Sequence, residues 1–321
     1  MNRSWLEHIG NTPLVPLSKL FSNPRGIQVY GKLELMNPTG SAKDRPALRI
    51  LQHAWREGAV GPGSVVVESS SGNMAISMAA ICSCMGMRFI SVIDPRTTDQ
   101  NIRIMRAYGA EVSYVTEPDP DTGEFLPARL QRVRELLEDI PGSYWPNQYG
   151  NRNNPLAHEE GTMREIAEQL GSIDYVAAGV SSCGTMLGCS QYIRKHGLPT
   201  KSIAVDAAGS IILGGSPGMR LYPGLGAGIV PPFAEGIAMD YAVKVTDRDM
   251  TMGCHCLLKQ ESILAGPSSG AVISAVQTLM DRLPEESVIA AIIHDRGERY
   301  LDTVYNEAWV KEHFGTHLTE K

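Results

Sequence analysis

The chain has 321 residues, 43% of them hydrophobic, enough to bury a sizeable core and more than one compact unit usually needs. With 29 basic against 35 acidic residues, a net charge of -6 and no long run of one sign, it lacks the electrostatic footprint for nucleic acid or an anionic membrane, so small-molecule partners are expected. No segment approaches the roughly 20 consecutive apolar residues of a membrane span, and the opening Met1–His8 lacks the apolar core of a signal peptide, so the protein is expected in the cytoplasm.

The first informative segment is Asn37-Pro38-Thr39-Gly40-Ser41-Ala42-Lys43-Asp44-Arg45-Pro46. A lysine after a Gly-Ser turn at a helix start lies near backbone N–H groups and the positive end of the helix dipole, which disfavours its protonated form. Lys43 is therefore a candidate Schiff-base nucleophile, although a lone lysine is more often a surface residue. The run Val65-Val66-Val67 reads as a short strand buried on both faces. It feeds Glu68-Ser69-Ser70-Ser71-Gly72-Asn73-Met74 and a helix over 74–85, whose free N–H groups suit a carboxylate. An N-cap cluster without a ligand would use the same residues.

Further buried strands are expected at Phe89–Ile93, Val112–Val115, Tyr175–Ala178, Ile203–Val205 and Val288–Ile293, with helices over 100–108, 128–137 and 158–170 between them. Strand and helix in alternation predict parallel sheets in an α/β protein. The Pro-, Gly- and Asn-rich stretch 141–155 places a domain crossing near residue 145. After the fourth strand comes Gly179-Val180-Ser181-Ser182-Cys183-Gly184-Thr185-Met186-Leu187-Gly188, where small residues and hydroxyls at a helix start suit a phosphate; no Gly-Lys-Ser/Thr makes it a Walker A loop. Residues 209–228 include seven glycines and two prolines, which disfavours regular structure and predicts a lid or binding loop. The six cysteines read as free thiols, and Cys254-His255-Cys256 has no second cluster with zinc-like spacing, so no metal is expected. Ser268 opens a helix at Ala271-Val272-Ile273 and suits an N-cap.

In this order, an amine, an Asn loop and a phosphate cradle resemble the cysteine synthase and cystathionine β-synthase family of fold type II pyridoxal-phosphate enzymes. The resemblance runs from Gly10-Asn11-Thr12-Pro13-Leu14-Val15 to Ala265-Gly266-Pro267-Ser268-Ser269-Gly270 and Asp295-Arg296-Gly297-Glu298-Arg299-Tyr300. It implies two open twisted sheets with helices on both faces, as in the tryptophan synthase β-subunit, and a homodimer. Residues 37–145 would form a smaller, mobile domain that closes on substrate, and 1–36 with 146–321 a larger domain that anchors pyridoxal 5'-phosphate. By the same resemblance Lys43 carries the cofactor and acts as general base, Asn73 contacts its 3'-oxygen, and Ser181, Ser182, Cys183, Gly184 and Thr185 hold its phosphate. Ser268 would face the pyridine nitrogen with a neutral hydroxyl, which cannot stabilise a protonated ring as a carboxylate does. Ser70, Ser71, Gly72, Asn73 and Met74 would hold the substrate carboxylate. Cys183 stands in a slot usually held by Gly or Thr, Ser70 where Thr is commoner, and His294 where Pro is usual.

Met36-Asn37-Pro38, Asp94-Pro95, Asn147-Gln148-Tyr149, Val205-Asp206-Ala207, Pro223–Ala227 and Arg299–Asp302 are similar to one branch of that family. That branch joins O-phospho-L-serine to L-glutamate with release of phosphate, giving a diaminopropionate precursor of siderophores such as staphyloferrin B. Arg129, Tyr149 and Arg220 are the candidates to hold the leaving phosphate, a task suited to a bidentate guanidinium. A cysteine synthase using O-acetyl-L-serine or O-phospho-L-serine with sulfide shares every cofactor residue and is the nearest alternative. A pyridoxal-phosphate-binding regulatory protein without turnover is the second.

Overall fold

The computed structural model describes residues 4–315. In chain order its elements are β1 (Leu14–Pro16), β2 (Gln28–Leu33), α1 (Asp44–Arg56), β3 (Val65–Ser69), α2 (Asn73–Cys84), β4 (Arg88–Ile93), α3 (Asp99–Ala107), β5 (Glu111–Tyr114) and α4 (Phe125–Asp139). There follow α5 (Asn153–Ala157), a π-helical turn (His158–Met163), α6 (Arg164–Leu170), β6 (Tyr175–Gly179), α7 (Gly184–His196), β7 (Lys201–Ala207) and β8 (Tyr241–Val245). The chain ends with α8 (Asp247–Glu261), α9 (Pro267–Leu279), β9 (Val288–Ile293) and α10 (Glu307–Phe314). It is an α/β protein with two sheets, in two compact units: Met1–Ile9 with Lys43–Asn154, and Gly10–Ala42 with Pro155–Lys321.

The first unit is built on the parallel sheet β3-β4-β5. Side chains alternate across a strand, and here Val66 joins Ile50, Ile76, Ile81 and Phe89 in one apolar cluster while Val65 and Val67 join Ile90, Val133 and Leu136 in another. Helix α2 is buried continuously from Met74 to Cys82, so it is apolar all round rather than amphipathic. The Thr98 hydroxyl accepts from Asn101 N–H and caps α3. One expectation fails: β5, at one edge of the sheet, is half-buried to exposed, while β3 at the other edge is buried throughout. The first unit also continues to Asn154, beyond residue 145, since the 145–148 segment is hydrogen-bonded back to Glu68.

The second unit carries the six-stranded sheet β1-β2-β9-β6-β7-β8, parallel except for β1 against β2. The short β1, β2 and β8 have no continuous β-branched run and give little signal in the sequence. Central strand β9 sends Ile289, Ala291 and Ile293 to the cluster shared with α9, and Ala290 and Ile292 to the opposite cluster with Met186 and Cys189 of α7. The helix expected over 158–170 begins as the π-helical turn, packed so closely on α7 that a Cβ at Gly188 would stand 2.7 Å from His158 Cβ. Residues 209–228 form no helix or strand, and Asp206 Oδ2 ties them by accepting from Leu213 N–H.

The second unit also buries an ion pair. Lys32 Nζ lies 2.7 Å from Glu165 Oε2 and donates to Thr12 O, while Glu165 Oε1 accepts from Asn11 N–H. Both side chains are almost wholly out of water, so removing one partner breaks a buried ion pair, which is strongly destabilising. Lys32→Met is expected to lower stability by about 3 to 5 kcal/mol. Urea unfolding measures it, and Glu165→Leu added to that variant is expected to recover part of the loss.

Candidate active site

In the first unit, Lys43 is the N-cap residue of α1, half-buried, with Asp44 behind it accepting the Ser77 hydroxyl proton of α2 at 2.6 Å. Ser77 Oγ also lies 2.9 Å from Asn73 O, which ties the first turns of α1 and α2 together. The loop after β3 brings Ser70, Ser71, Gly72, Asn73 and Met74 to the start of α2, whose first N–H groups have no acceptor within the helix. Ser70 is buried and its Oγ accepts from Ala75 N–H. Its backbone carbonyl accepts from Ser91 Oγ, and the Ser71 carbonyl accepts from Asn101 Nδ2. A Cβ at Gly72 would meet nothing within 4 Å, so the loop leaves open space in front of the helix. Neutral donors converging on such space suit a carboxylate.

Behind this loop lies Glu68, to which the loop motif alone assigns no role. Its Oε1 accepts from Ser69 N–H at 2.8 Å and Trp145 Nε1–H at 3.2 Å, and its Oε2 from Gln148 N–H at 3.1 Å. Burial pushes the carboxyl up to about 7, against the opposing pull of these donors and of Arg129. An acid inside an otherwise apolar strand was the signal available. Arg129 Nε lies 3.3 Å from Asp94 Oδ2 without the alignment of a hydrogen bond. The Tyr149 phenol is held above its usual pKa mainly by burial, opposed by Arg129 and aided by Glu68. Arg129, Tyr149, Glu68 and Asp94 thus form one electrostatic cluster.

In the second unit, β6 ends at Gly179, and Val180 N–H donates to Val205 O while Val180 O accepts from Gly226 N–H. Ser181 Oγ donates to Gly226 O at 3.2 Å. Ser182, Cys183, Gly184 and Thr185 are buried at the start of α7. Cys183 is its N-cap with φ +68°, a left-handed conformation that favours glycine, which explains why glycine suits this slot. Thr185 Oγ1 lies 3.3 Å from His158 Nε2, and His158 Nδ1 lies 3.0 Å from Thr162 Oγ1 in the π-helical turn. Hydroxyls and first-turn N–H groups at the positive end of a 13-residue helix fit a phosphate.

Ser268 sits in the first turn of α9 and donates to Asp295 Oδ1 at 3.2 Å. Arg220 donates Nη1 to Gly209 O of its own loop at 2.9 Å and stands near Asp247. His255 Nε2, in the Cys-His-Cys stretch, lies 2.8 Å from Val304 O.

The family described as pyridoxal-phosphate dependent enzyme matches residues 6–295. An N-(2-amino-2-carboxyethyl)-L-glutamate synthase of Ralstonia nicotianae is 43% identical over 309 residues, covering 96% of this chain and 91% of the relative. A synthase of the same name from Cupriavidus metallidurans is 42% identical over 311 residues, with the same coverage of 96% and 91%. Among solved structures, the O-acetylserine dependent cystathionine beta-synthase from Helicobacter pylori aligns with a TM-score of 0.88 at 31% identity, covering 95% of this chain and 99% of that one. An O-ureido-L-serine synthase aligns at 0.87 and 28%, covering 98% and 96%.

A carboxyl whose pKa is higher folded than unfolded supports folding fully below the unfolded value and loses that support as pH rises through the folded one. For Glu68, from 4.5 unfolded to about 7 folded, this amounts to roughly 3 kcal/mol lost on raising the pH across that window. Glu68→Gln is expected to flatten this part of the pH–stability profile, as urea unfolding of both proteins between about pH 4.5 and 8 would measure.

Proposed function

The chain belongs to the pyridoxal-phosphate dependent enzyme family, and from that membership we propose that it joins O-phospho-L-serine to L-glutamate, giving N-(2-amino-2-carboxyethyl)-L-glutamate and inorganic phosphate. The observation that carries this reading is identity of 42–43% across 96% of the chain to synthases of that name. The reaction is a β-replacement: the C–O bond to phosphate breaks and a C–N bond to the glutamate amine forms. It would serve diaminopropionate and siderophore synthesis in the cytoplasm, in a homodimer. No helix among the described residues is long and apolar enough to cross a membrane.

The cofactor, when bound, supplies an electron sink for the carbanion at the substrate Cα. In the proposed arrangement Lys43 would bind it through its side-chain amine, Asn73 would meet its 3'-oxygen, Ser181, Ser182, Cys183, Gly184 and Thr185 would hold its phosphate, and Ser268 would face its ring nitrogen. The Lys43 amine would also serve as the base that takes the substrate Cα proton and later returns it. The Ser70–Met74 loop holds the substrate carboxylate by neutral donors, so no charge there competes with the departing phosphate.

For that phosphate, Arg129 with Tyr149 is the first choice and Arg220 the second. Arg129 has a phenol beside it and no aligned hydrogen bond from Nε, whereas Arg220 already serves a loop carbonyl. Burial also keeps Glu68 substantially protonated near neutral pH, so Arg129 faces one full carboxylate, Asp94, rather than two.

Mass spectrometry of mixtures of phosphoserine or acetylserine with glutamate or sulfide tests the reading. The expected outcome is the glutamate adduct from phosphoserine, with one phosphate released per product; cysteine from sulfide without the adduct would favour the cysteine synthase reading. Borohydride should fix the cofactor on the Lys43 peptide, and Lys43→Ala should lose both colour and product. Arg129→Ala is expected to slow phosphate loss from phosphoserine roughly 30- to 1000-fold with cofactor content unchanged, and Arg220→Ala less than about tenfold.

A further inference from the structure

The first unit sets a carboxylate beside the guanidinium proposed to receive the departing phosphate. Strands β3 and β4 are parallel neighbours with Ser69 opposite Val92, so the loops leaving their carboxyl ends, 70–72 and 94–98, run side by side. Asn101 of α3 joins them, its Nδ2 donating to Ser71 O at 3.1 Å. Arg129 reaches this edge from α4, with Nε 3.3 Å from Asp94 Oδ2 and only 13% and 6% of the two side chains exposed. Asp94 is held independently of Arg129: Oδ1 accepts from Arg96 N–H at 2.9 Å, and its carbonyl accepts from Thr97 N–H. Arg96 in turn lies over the Phe125 ring at 5.1 Å and 3.8 Å from Glu124 Oε2, which also links the loop to the start of α4.

The pair with Asp94 balances the charge of Arg129 without using its donors well. Arg129 Nε makes no aligned hydrogen bond, although a guanidinium forks best onto a carboxylate or phosphate through two parallel ones. A phosphate approaching Arg129 therefore meets a cation that already has a counter-ion. The two anions repel each other at a water-poor edge, where charges act more strongly than in solution. Glu68, the other carboxyl of the cluster, is substantially protonated near neutral pH and adds less. Inorganic phosphate has to leave after every turnover, and a buried guanidinium without its counter-ion would hold it.

Resting on the reading that Arg129 receives the leaving phosphate, we propose that Asp94 sets how tightly the released phosphate is held: as the resident counter-ion of Arg129, it competes with the phosphate and promotes its departure. Asp94 touches no reacting atom and acts through Arg129, so it is a positioning residue. Its carboxylate lowers affinity for the phosphate of the substrate and speeds the release of the product.

The test is calorimetric titration with inorganic phosphate, on holoenzyme so that the cofactor fills its own phosphate loop. Asp94→Asn, which keeps an acceptor for Arg96 N–H and removes the charge, is expected to bind phosphate roughly tenfold more tightly, or better, since juxtaposed like charges oppose binding by at least that factor. Arg129→Ala, alone or added to Asp94→Asn, is expected to bind it at least roughly tenfold more weakly than its parent. A substitution that merely loosened the loop would weaken binding, so the direction of the change separates a charge effect from a structural one. Affinity for L-serine, which shares the α-amine and carboxylate of the substrate but carries no phosphate, is expected to stay the same in Asp94→Asn, as read from the cofactor absorption band. Unchanged or weaker phosphate binding in Asp94→Asn, with Arg129→Ala weakened, overturns the proposal and leaves the Arg129 reading standing. Binding that Arg129→Ala leaves unchanged in both backgrounds overturns both. A tightening matched by an equal gain for L-serine overturns the proposal too, since the charge would then act on the whole site. Should Asp94→Asn fail to fold, Asp94→Ser, whose hydroxyl also accepts from an N–H, is read by the same outcomes.

Discussion

Three residues after the central strand of the larger sheet hold much of the second unit in register. His294 O accepts from Ala42 N–H, Arg296 N–H donates to Gly40 O, and Ser41 bridges Asp295 between them. The side chains reach elsewhere: His294 Nε2 accepts from Gly179 N–H at 3.0 Å, and Asp295 Oδ1 accepts from Ser268. The strand order β2-β9-β6 makes this possible, because the carboxyl ends of parallel strands gather on one edge, where open α/β sheets bind ligands. Within the second unit, the Gly40–Ala42 segment, the base of the Ser181–Thr185 loop and the start of α9 are therefore all referenced to one tripeptide. A shift there would move all three together.

A backbone N–H can only donate, so His294 Nε2 is unprotonated where it meets Gly179 and the ring proton sits on Nδ1. Proline in this position would offer no such acceptor. Cys183 is the matching departure on the loop that follows Gly179. Its left-handed backbone costs a non-glycine residue about 1 to 2 kcal/mol. The side chain offsets this by packing, almost fully buried, among Met163, Val176, Val180 and Met186. A thiol is small enough to do so while the loop keeps its turn.

The strands legible in the sequence were those buried on both faces, since Val65–Val67, Phe89–Ile93 and Val288–Ile293 are unbroken apolar runs. The pattern was silent for β2, where Gly31 and Lys32 interrupt the run; the buried Lys32 is met by Glu165, more than a hundred residues away, and by Thr12 O. The same limit applies to the candidate site. Loops at helix starts announce themselves by glycine, serine and asparagine, whereas Glu68, Asp295 and His158 gain meaning only from partners distant in sequence. Arg220 was a candidate in a glycine-rich loop; that loop is held by Asp206, Lys244 and Gly209, and Arg220 is one of the ties.

The Asp295 carboxylate is also the place where helix packing and charge are least separable. Helix α9 enters through Gly266-Pro267, and Gly266 N–H donates to Asp295 O, which brings the first turn of the helix against the end of β9. Any side chain at Gly266 would occupy the space of Oδ1, so the glycine is required by contact distance and not by a special backbone conformation. The carboxylate thus lies beside the first turn of the 13-residue α9. Ser268 and Ser269 supply the polar contacts on that turn: one donates to the Asp295 side chain, and the other accepts from the backbone N–H of His294. The apolar residues that follow, Ala271 to Val276, then lock the helix against β9. A buried carboxylate is costly unless both oxygens are bonded, and here Ser268 and Tyr300 bond one each. Part of the cost of burying this charge is thus met by a hydroxyl on the first turn of α9, which ties that serine's proton to the α9–β9 packing.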